Sequence, residues 1–181
     1  MNFIPSDLQG VLLIEPDVHR DPRGFFVESY SVASFAMGGI GTTFVQDNHS
    51  LSVAKGVLRG MHFQLPPHAQ SKLLRATRGA IYDVVVDLRT ASPTFGQWRG
   101  FELSADNFRM LFVPAGFAHG FCTLAENTEV QYKVDRLYAP ACDAGIRWND
   151  PDIAIDWPVV DPVLSARDSA WPLLREFCSP F

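Results

Sequence analysis

The stretch GVLRGMHFQLPPHAQSKLLRATRG, Gly56 to Gly79, contains two apolar runs bounded by glycines and separated by two prolines. It predicts two β-strands, over 56–64 and 71–79, because short runs rich in Val, Leu and Phe between turn residues are typical of strands. The first run carries His62 and, two residues later, Gln64; the second carries Lys72. The stretch resembles half of a metal site in which other residues replace most of the ligands.

Segments of this kind recur along the whole chain, which predicts an all-β fold. Thirteen Pro and thirteen Gly punctuate short runs rich in Val, Ile, Phe, Leu and Tyr, as in a β-barrel or sandwich. Two short helices are also predicted, over 31–39 and over 165–177, the second interrupted at Pro172. The predicted strands cover 10–16, 24–30, 44–52, 56–64, 71–79, 80–88, 98–104, 109–115, 120–126 and 128–138.

The last of these strands gives the first orientation of a side chain. In TEVQYKVDR, residues 128–136, the side chains of Val130, Tyr132 and Val134 share one face, because successive residues of a strand point to opposite sides. The apolar company predicts that Tyr132 points inward. Most such tyrosines are ordinary core residues, so a functional role needs a second argument.

Length and composition favour one ordinary domain. The 181 residues include no polar tract long enough to be a linker, so we expect a single domain over 1–181, with its core over about 3–158 and a C-terminal helical segment over about 163–177. No apolar run is long enough to span a bilayer. The N-terminal MNFIPSDLQG lacks a basic leader and a sustained apolar core, so we expect a cytoplasmic protein.

Charge and cysteine usage exclude some classes of function. The formal net charge of −5 disfavours a nucleic-acid-binding protein, although Arg59, Lys72, Arg75 and Arg78 could create local positive potential for a small anion. The three cysteines are widely spaced and form no CxxC pair, which argues against a disulfide scaffold and a cysteine zinc site.

A second motif, FVPAGFAHGF at 112–121, extends the comparison with metal sites. Its Pro114, Gly116 and His119 resemble the second motif of the cupin superfamily, whose histidine completes a metal site begun by a His-x-His and a glutamate. Here Gln64 stands at the second histidine and Lys72 near the glutamate. A lysine ammonium repels a divalent cation, so the sequence predicts no metal.

The same residue types suit proton transfer beside a carbonyl group. Inverting a stereocentre next to a ketone requires a base on one face, an acid on the other, and a donor for the enolate oxygen. A histidine such as His62 can act as the base, because imidazoles titrate near neutral pH. The hydroxyl of Tyr132 can act as the acid, and Lys72 can supply the positive charge.

Further motifs make the resemblance specific. DPRGFFVESY (21–30), QDNHS (46–50), LRGMHFQ (58–64), QSKLLRATRGAIYDVVVDLR (70–89), VPAGFAHGF (113–121), YKVDRLYAP (132–140) and IRWNDPDIAIDWP (146–158) together resemble the dTDP-4-dehydrorhamnose 3,5-epimerase family. The resemblance implies a jelly-roll cupin fold, without metal or organic cofactor. It also implies inversion of dTDP-4-dehydro-6-deoxy-D-glucose at C3 and C5, giving dTDP-4-dehydro-L-rhamnose for dTDP-L-rhamnose synthesis.

Roles for individual residues follow from the same resemblance. It implies that His62 is the base, Tyr132 the proton donor, Lys72 the residue near the C4 oxygen, and Asp168 the partner of His62. It implies that Tyr138 stacks on thymine and that Asp143, where a longer glutamate is expected, contacts the ligand. The other positions associated with the sugar nucleotide are Arg23, Glu28, Gln46, Asn48, Arg59 and His119.

Three alternatives remain at this stage. A 3-epimerase or a 5-epimerase would use the same groups, because C3 and C5 flank the same ketone. A metal-dependent cupin is disfavoured by Gln64 and Lys72, and a non-catalytic sugar-nucleotide-binding protein would not need base, acid and oxyanion donor together. The resemblance also implies a homodimer that exchanges strands, with a dTDP-linked 4-keto-6-deoxy sugar as ligand.

Overall fold

The chain folds as two β-sheets packed face to face, and the computed structural model describes residues 1–181. The six-stranded sheet has the order β1-β2-β10-β7-β12-β5, the five-stranded sheet has the order β13-β6-β11-β8-β9, and β3 and β4 form a separate hairpin. The strands are β1 Asn2–Pro5, β2 Leu12–Glu15, β3 Val18–Asp21, β4 Gly24–Val27, β5 Gln46–Ser52, β6 Leu58–Gln64, β7 Lys72–Arg78, β8 Ala80–Asp87, β9 Trp98–Ser104, β10 Met110–Val113, β11 Phe117–Thr123, β12 Thr128–Val134 and β13 Asp143–Gly145.

Three buried clusters explain why these runs form two layers. The largest contains Leu74 on β7, Val85 on β8 and Val130 on β12, together with other apolar residues of both sheets. A second cluster packs the C-terminal segment on the five-stranded sheet, and a third packs Phe35 of α1 (Val32–Met37) beside strands of the six-stranded sheet. The all-β, cupin-type jelly-roll fold expected from the sequence is therefore confirmed.

The short helix in the N-terminal half lies within the predicted range. Ser31 caps α1 by accepting a hydrogen bond from the Ser34 backbone at its side-chain oxygen, and Gly38 ends the helix. No helix of the structure is long and apolar enough to cross a membrane.

The prediction of a C-terminal helix over 165–177 is wrong. Residues 166–169 form a turn, and a short 3₁₀ helix, Leu174–Glu176, is the only helical part. Pro172 lacks a backbone N–H and disfavours helical geometry in the residue before it, which accounts for the predicted interruption, but no helix forms on its N-terminal side either. Val163 instead pairs with Val57 just before β6, which brings the following residues alongside that strand.

One strand boundary differs from the prediction, and some strands were not predicted. The last predicted strand, over 128–138, ends at Val134, so Tyr138 lies in a loop before the 3₁₀ helix Pro140–Cys142. The sequence pattern missed β3, β13 and β1, whose four residues include Pro5. That strand is half exposed at a sheet edge, where proline is tolerated.

A close approach between β6 and β11 fixes the register of these two strands around His62 and His119. His62 lies opposite His119, and the pairing shifts between His119 and Phe121. A Cβ atom added to Gly120 would lie 2.9 Å from the Gly60 Cα and 2.7 Å from the Met61 sulfur. Only glycine therefore allows the two strands to come this close beside the two histidines.

We predict that Gly120→Ala destabilises the fold by about 1 to 3 kcal/mol, because the added methyl group overpacks the contact between the strands. Urea unfolding followed by circular dichroism measures this. Gly41→Ala is the matched control, since a Cβ at Gly41 meets no atom within 4 Å. Equal stability of the two variants would contradict the account of this contact.

Candidate active site

A cavity of about 540 Å³ lies between the two sheets, and its lining holds most of the residues singled out in the sequence. The five-stranded sheet supplies side chains from β6 and β11, and the six-stranded sheet supplies them from β7 and β12. Eight of the residues proposed from the sequence line this cavity: Arg59, His62, Lys72, His119, Tyr132, Tyr138, Asp143 and Asp168.

His62 is held by a carboxylate that comes from a distant part of the chain. Its Nε2 lies 2.5 Å from Oδ1 of Asp168, which is 106 residues further on. Asp168 is buried, and burial alone would raise its pKa. The hydrogen bonds with His62 and Ser165, together with the charges of His62 and Arg167, outweigh that effect and lower the pKa of Asp168.

This pairing defines which ring nitrogen of His62 can act as a base. An ionised carboxylate can only accept a hydrogen bond, so Nε2 of His62 carries a hydrogen and donates it to Asp168. In the neutral ring, Nδ1 then keeps its lone pair. The turn at 166–169 positions the carboxylate, since the Ser165 hydroxyl accepts a hydrogen bond from the Asp168 backbone at 3.1 Å.

Lys72 is a partly buried cation among polar groups of the cavity. Its Nζ makes one long hydrogen bond, 3.4 Å, to the backbone oxygen of His62. Burial lowers the pKa of Lys72 to about 8, and the negative charges of Asp83 and Asp143 oppose that change. The ammonium group is thus charged at neutral pH and lacks a close carboxylate partner, so it can serve an anionic oxygen.

A second histidine of the cavity lining, His119, is bound to a fully buried carboxyl group. Nε2 of His119 lies 2.9 Å from Oδ2 of Asp83, whose side chain has no exposed surface. Burial lowers the pKa of His119 and raises that of Asp83, because it penalises the charged form of each. We therefore expect His119 to be neutral at pH 7, hydrogen-bonded through Nε2 to the Asp83 carboxyl group.

Gln64 stands at the place of a second cupin histidine, and its side chain is hydrogen-bonded to backbone groups of two loops. Its amide nitrogen donates to His68 O at 2.7 Å and Leu137 O at 3.3 Å, and its oxygen accepts from the Ala139 backbone at 2.7 Å. Gln64 therefore ties two loops together beside the cavity. With these bonds made and the Lys72 ammonium nearby, the donor set does not fit a divalent cation.

Tyr132 faces the cavity from the sheet opposite His62. It packs against the main core cluster, and burial raises its pKa, an effect reinforced by Asp143 and opposed by Arg59 and Arg167. The hydroxyl therefore stays protonated at neutral pH and can donate a proton. Arg59 is held beside it by hydrogen bonds from its side chain to Ser52 Oγ and Leu51 O.

The rim of the cavity holds an ion pair and an exposed aromatic ring. Arg167 contacts Asp143 through Nη1 and Oδ2 at 2.6 Å, and the Tyr138 hydroxyl donates to the same oxygen at 3.3 Å. Tyr138 is half exposed, which leaves its ring face open to a flat ligand. The rim therefore offers an aromatic surface beside a guanidinium group.

Four residues proposed from the sequence lie outside the cavity lining. Gln46 and Asn48 are on β5 and contact each other, and Gln46 also accepts a hydrogen bond from the Tyr138 backbone. Arg23 is on the β3–β4 hairpin and pairs with Asp21, while Glu28 follows that hairpin and accepts from Ser34. The hairpin pairs with neither sheet of this chain.

Sequence reasoning missed three residues that shape the site. Asp83 looks like one polar position in the apolar strand AIYDVVVD, and that interruption of the pattern is the signal that could have revealed it. Arg167 lies next to Asp168, in a segment predicted to be helical. Trp171, whose ring lies 6.2 Å from that of His62, gave no local signal at all.

A comparison with known protein families agrees with this geometry over nearly the whole chain. The model of the dTDP-4-dehydrorhamnose 3,5-epimerase family matches residues 5–176. The chain belongs to this family. It is 52% identical over 178 residues to the dTDP-4-dehydrorhamnose 3,5-epimerase of Salmonella typhimurium, and the match covers 97% of each chain.

Solved structures of the family have the same fold. The dTDP-4-dehydrorhamnose 3,5-epimerase of Bacillus anthracis, with TDP and PPi bound, superposes with a TM-score of 0.93 at 52% identity, covering 95% of this chain and 98% of that one. The epimerase of Legionella pneumophila, in complex with dTDP-4-keto-L-rhamnose, gives 0.91 at 44% identity, covering 96% and 93%.

Proposed function

We propose that this protein inverts C3 and C5 of dTDP-4-dehydro-6-deoxy-D-glucose to form dTDP-4-dehydro-L-rhamnose, the step that precedes reduction to dTDP-L-rhamnose. One observation carries the proposal: a base and an acid, His62 and Tyr132, face one cavity from opposite sheets, with the Lys72 cation in the same cavity. The group on one wall can remove a proton from one face of a sugar ring, and the group on the other wall can donate a proton to the opposite face. The family supports the choice of substrate.

The first step removes a proton from a carbon beside the C4 ketone. Nδ1 of His62 takes the proton, and the pair of electrons from the C–H bond moves into an enolate whose negative charge lies on the C4 oxygen. The Asp168 carboxylate stabilises the imidazolium that forms. Lys72 donates a hydrogen bond to the enolate oxygen. The low dielectric of the cavity strengthens the attraction between the ammonium group and this oxygen.

The second step returns a proton to the opposite face. Tyr132 donates its hydroxyl hydrogen to the same carbon, the enolate becomes a ketone again, and the configuration is inverted. Both C3 and C5 are adjacent to C4, so one base and one acid can serve each in turn. Between the two inversions the Tyr132 phenolate takes a proton from solvent, and the imidazolium of His62 releases its proton to solvent.

The nucleotide part of the substrate fits the rim. The exposed Tyr138 ring offers a face for thymine, and Arg59 and Arg167 offer guanidinium groups for the pyrophosphate. Asp143 holds Arg167 and Tyr138 together through one oxygen. Its short side chain thereby completes the rim even where a glutamate is usual.

We predict that, in D2O with dTDP-4-dehydro-6-deoxy-D-glucose, the protein introduces deuterium at both C3 and C5, because each inversion returns a solvent-derived proton. NMR of the sugar locates the label, and a coupled reductase converts the product to dTDP-L-rhamnose. His62→Asn should abolish the label, while His68→Asn, with an exposed side chain outside the cavity, should not.

The alternatives give different results in the same experiment. Deuterium at one carbon only would identify a mono-epimerase that acts at C3 or at C5. Binding of dTDP without any exchange would identify a non-catalytic sugar-nucleotide-binding protein, and activity that a chelator removes would identify a metal-dependent enzyme.

We predict that kcat falls as the pH rises above about 8, because burial lowers the pKa of Lys72 to about 8 and the enolate needs the charged ammonium. Lys72 is protonated below that pH and loses its proton above it, so kcat should fall about tenfold per pH unit on the alkaline side. Burial raises the pKa of Tyr132, so the tyrosine does not account for this loss. Initial rates between pH 6 and 9.5 measure the profile.

Two variants test the assignment to Lys72. Below about pH 8, Lys72→Met should lower kcat by about two to three orders of magnitude, because it removes the charge at the enolate oxygen, and the difference from wild type should shrink at higher pH. Lys72→Arg keeps a charge that does not titrate in this range, so its remaining activity should not fall near pH 8. A wild-type profile that stays flat to pH 9.5 in folded protein would refute the role of Lys72.

We further propose that the protein is a homodimer in which the β3–β4 hairpin completes the partner's cavity. The hairpin pairs with neither sheet of its own chain and exposes Phe25 and Phe26 by 58% and 70%. It also carries Arg23, which the family resemblance assigns to the sugar nucleotide although it lies outside this chain's cavity. The free edge of β5 can accept another strand.

Mixed dimers test this arrangement. We predict that Arg23→Ala and His62→Asn are each impaired alone, and that dissociating and reassociating a mixture restores activity. In a mixed dimer, one cavity has an intact His62 and receives an intact Arg23 from the other subunit. Activity no higher than the average of the parents, or a solution mass equal to the single-chain 20.1 kDa, would contradict the proposal.

A further inference from the structure

Trp171 lies directly behind the proposed base although it does not line the cavity. Its ring meets that of His62 edge to face, with centroids 6.2 Å apart and planes inclined by 70°. The residue follows Asp168 by three positions, so the same short segment supplies both the hydrogen-bond partner and the aromatic neighbour of His62. The ring of His62 is therefore held at its Nε2 and against an indole.

Neighbouring residues form a space that fits the indole ring of Trp171. A Cβ atom on Gly145, which pairs with His62 across β13 and β6, would lie 2.6 Å from the indole, so only glycine leaves room for it. The guanidinium of Arg167 lies over the ring at 5.9 Å. Arg147 fixes the backbone by donating from Nε to Trp171 O at 3.1 Å.

The residues around the indole provide no hydrogen-bond acceptor for its N–H group. Nε1 of Trp171 is the one buried side-chain nitrogen or oxygen in the molecule without a hydrogen-bond partner. An unpaired buried donor opposes folding, so an apolar residue of similar size would suit stability at least as well. The position of the ring against His62 is what tryptophan adds there.

We propose that Trp171 is a positioning residue for His62: it fixes the imidazole plane so that Nε2–H points to Asp168 and Nδ1 to the cavity, and it keeps water from that hydrogen bond. The contacts of His62 with Trp171 and Asp168 are present without substrate. Its kinetic consequence rests on the proposed epimerase function.

The first test uses the resting protein. NMR detects the low-field Nε2–H proton of His62, which Asp168→Asn identifies by removing the signal. With Trp171→Leu we expect this proton to exchange with solvent at least about tenfold faster, because water reaches the bond. Trp171→Phe keeps an aromatic wall and should keep slow exchange. Leu174→Ala, which loosens the same segment without removing the ring, is the matched control.

The second test uses turnover. With the epimerase substrate, Trp171→Leu should lower kcat by about ten to a hundred fold while KM changes little, because the base is misaligned and the ligand contacts remain. Trp171→Phe should recover most of the rate. Thermal unfolding of each variant checks that the fold is kept, and we expect neither substitution to lower the melting temperature as much as Leu174→Ala.

The two tests separate the two claims. Slow proton exchange in folded Trp171→Leu, or equally fast exchange in Leu174→Ala, would overturn the positioning role. A loss of rate that appears in KM alone would also overturn it. If the wild-type protein performs no epimerisation but the exchange results are as expected, the proposed function fails while the positioning of His62 by Trp171 stands.

Discussion

The rest of the site is arranged around the ammonium group of Lys72, which is partly buried between two β-sheets. A buried cation is tolerated only where negative charge or dipoles compensate for the water that it loses. Asp83 and Asp143 do this from a distance, and neither forms a close pair with the lysine. The cation therefore remains available to an anionic oxygen, and His119 is kept neutral beside it.

The base depends on long-range contacts rather than on local sequence. His62 comes from β6, its carboxylate partner from the segment after Val163, and its aromatic neighbour from the end of that segment. The close contact at Gly60 and Gly120 sets the position of β6 against β11. A change in any of these places alters the orientation of one imidazole ring.

Much of this could be predicted from the sequence, for identifiable reasons. Alternation in TEVQYKV predicted that Tyr132 faces inward, and the glycine-bounded apolar runs predicted the strands. The C-terminal segment could not be predicted in the same way, because its conformation depends on Val163 docking beside Val57. Asp83 and Trp171 were missed because their importance comes from partners on other strands and segments.

The hydrogen bonds between the Gln64 side chain and the backbone constrain which substitutions this site tolerates. Replacing Gln64 with histidine would restore the His-x-His pattern, but it would release His68 O, Leu137 O and the Ala139 N–H together. It would also leave the Lys72 charge facing the new ligand. In this chain, therefore, Gln64→His alone would break three hydrogen bonds without creating a site that suits a metal, so the two positions could change to a metal site only together.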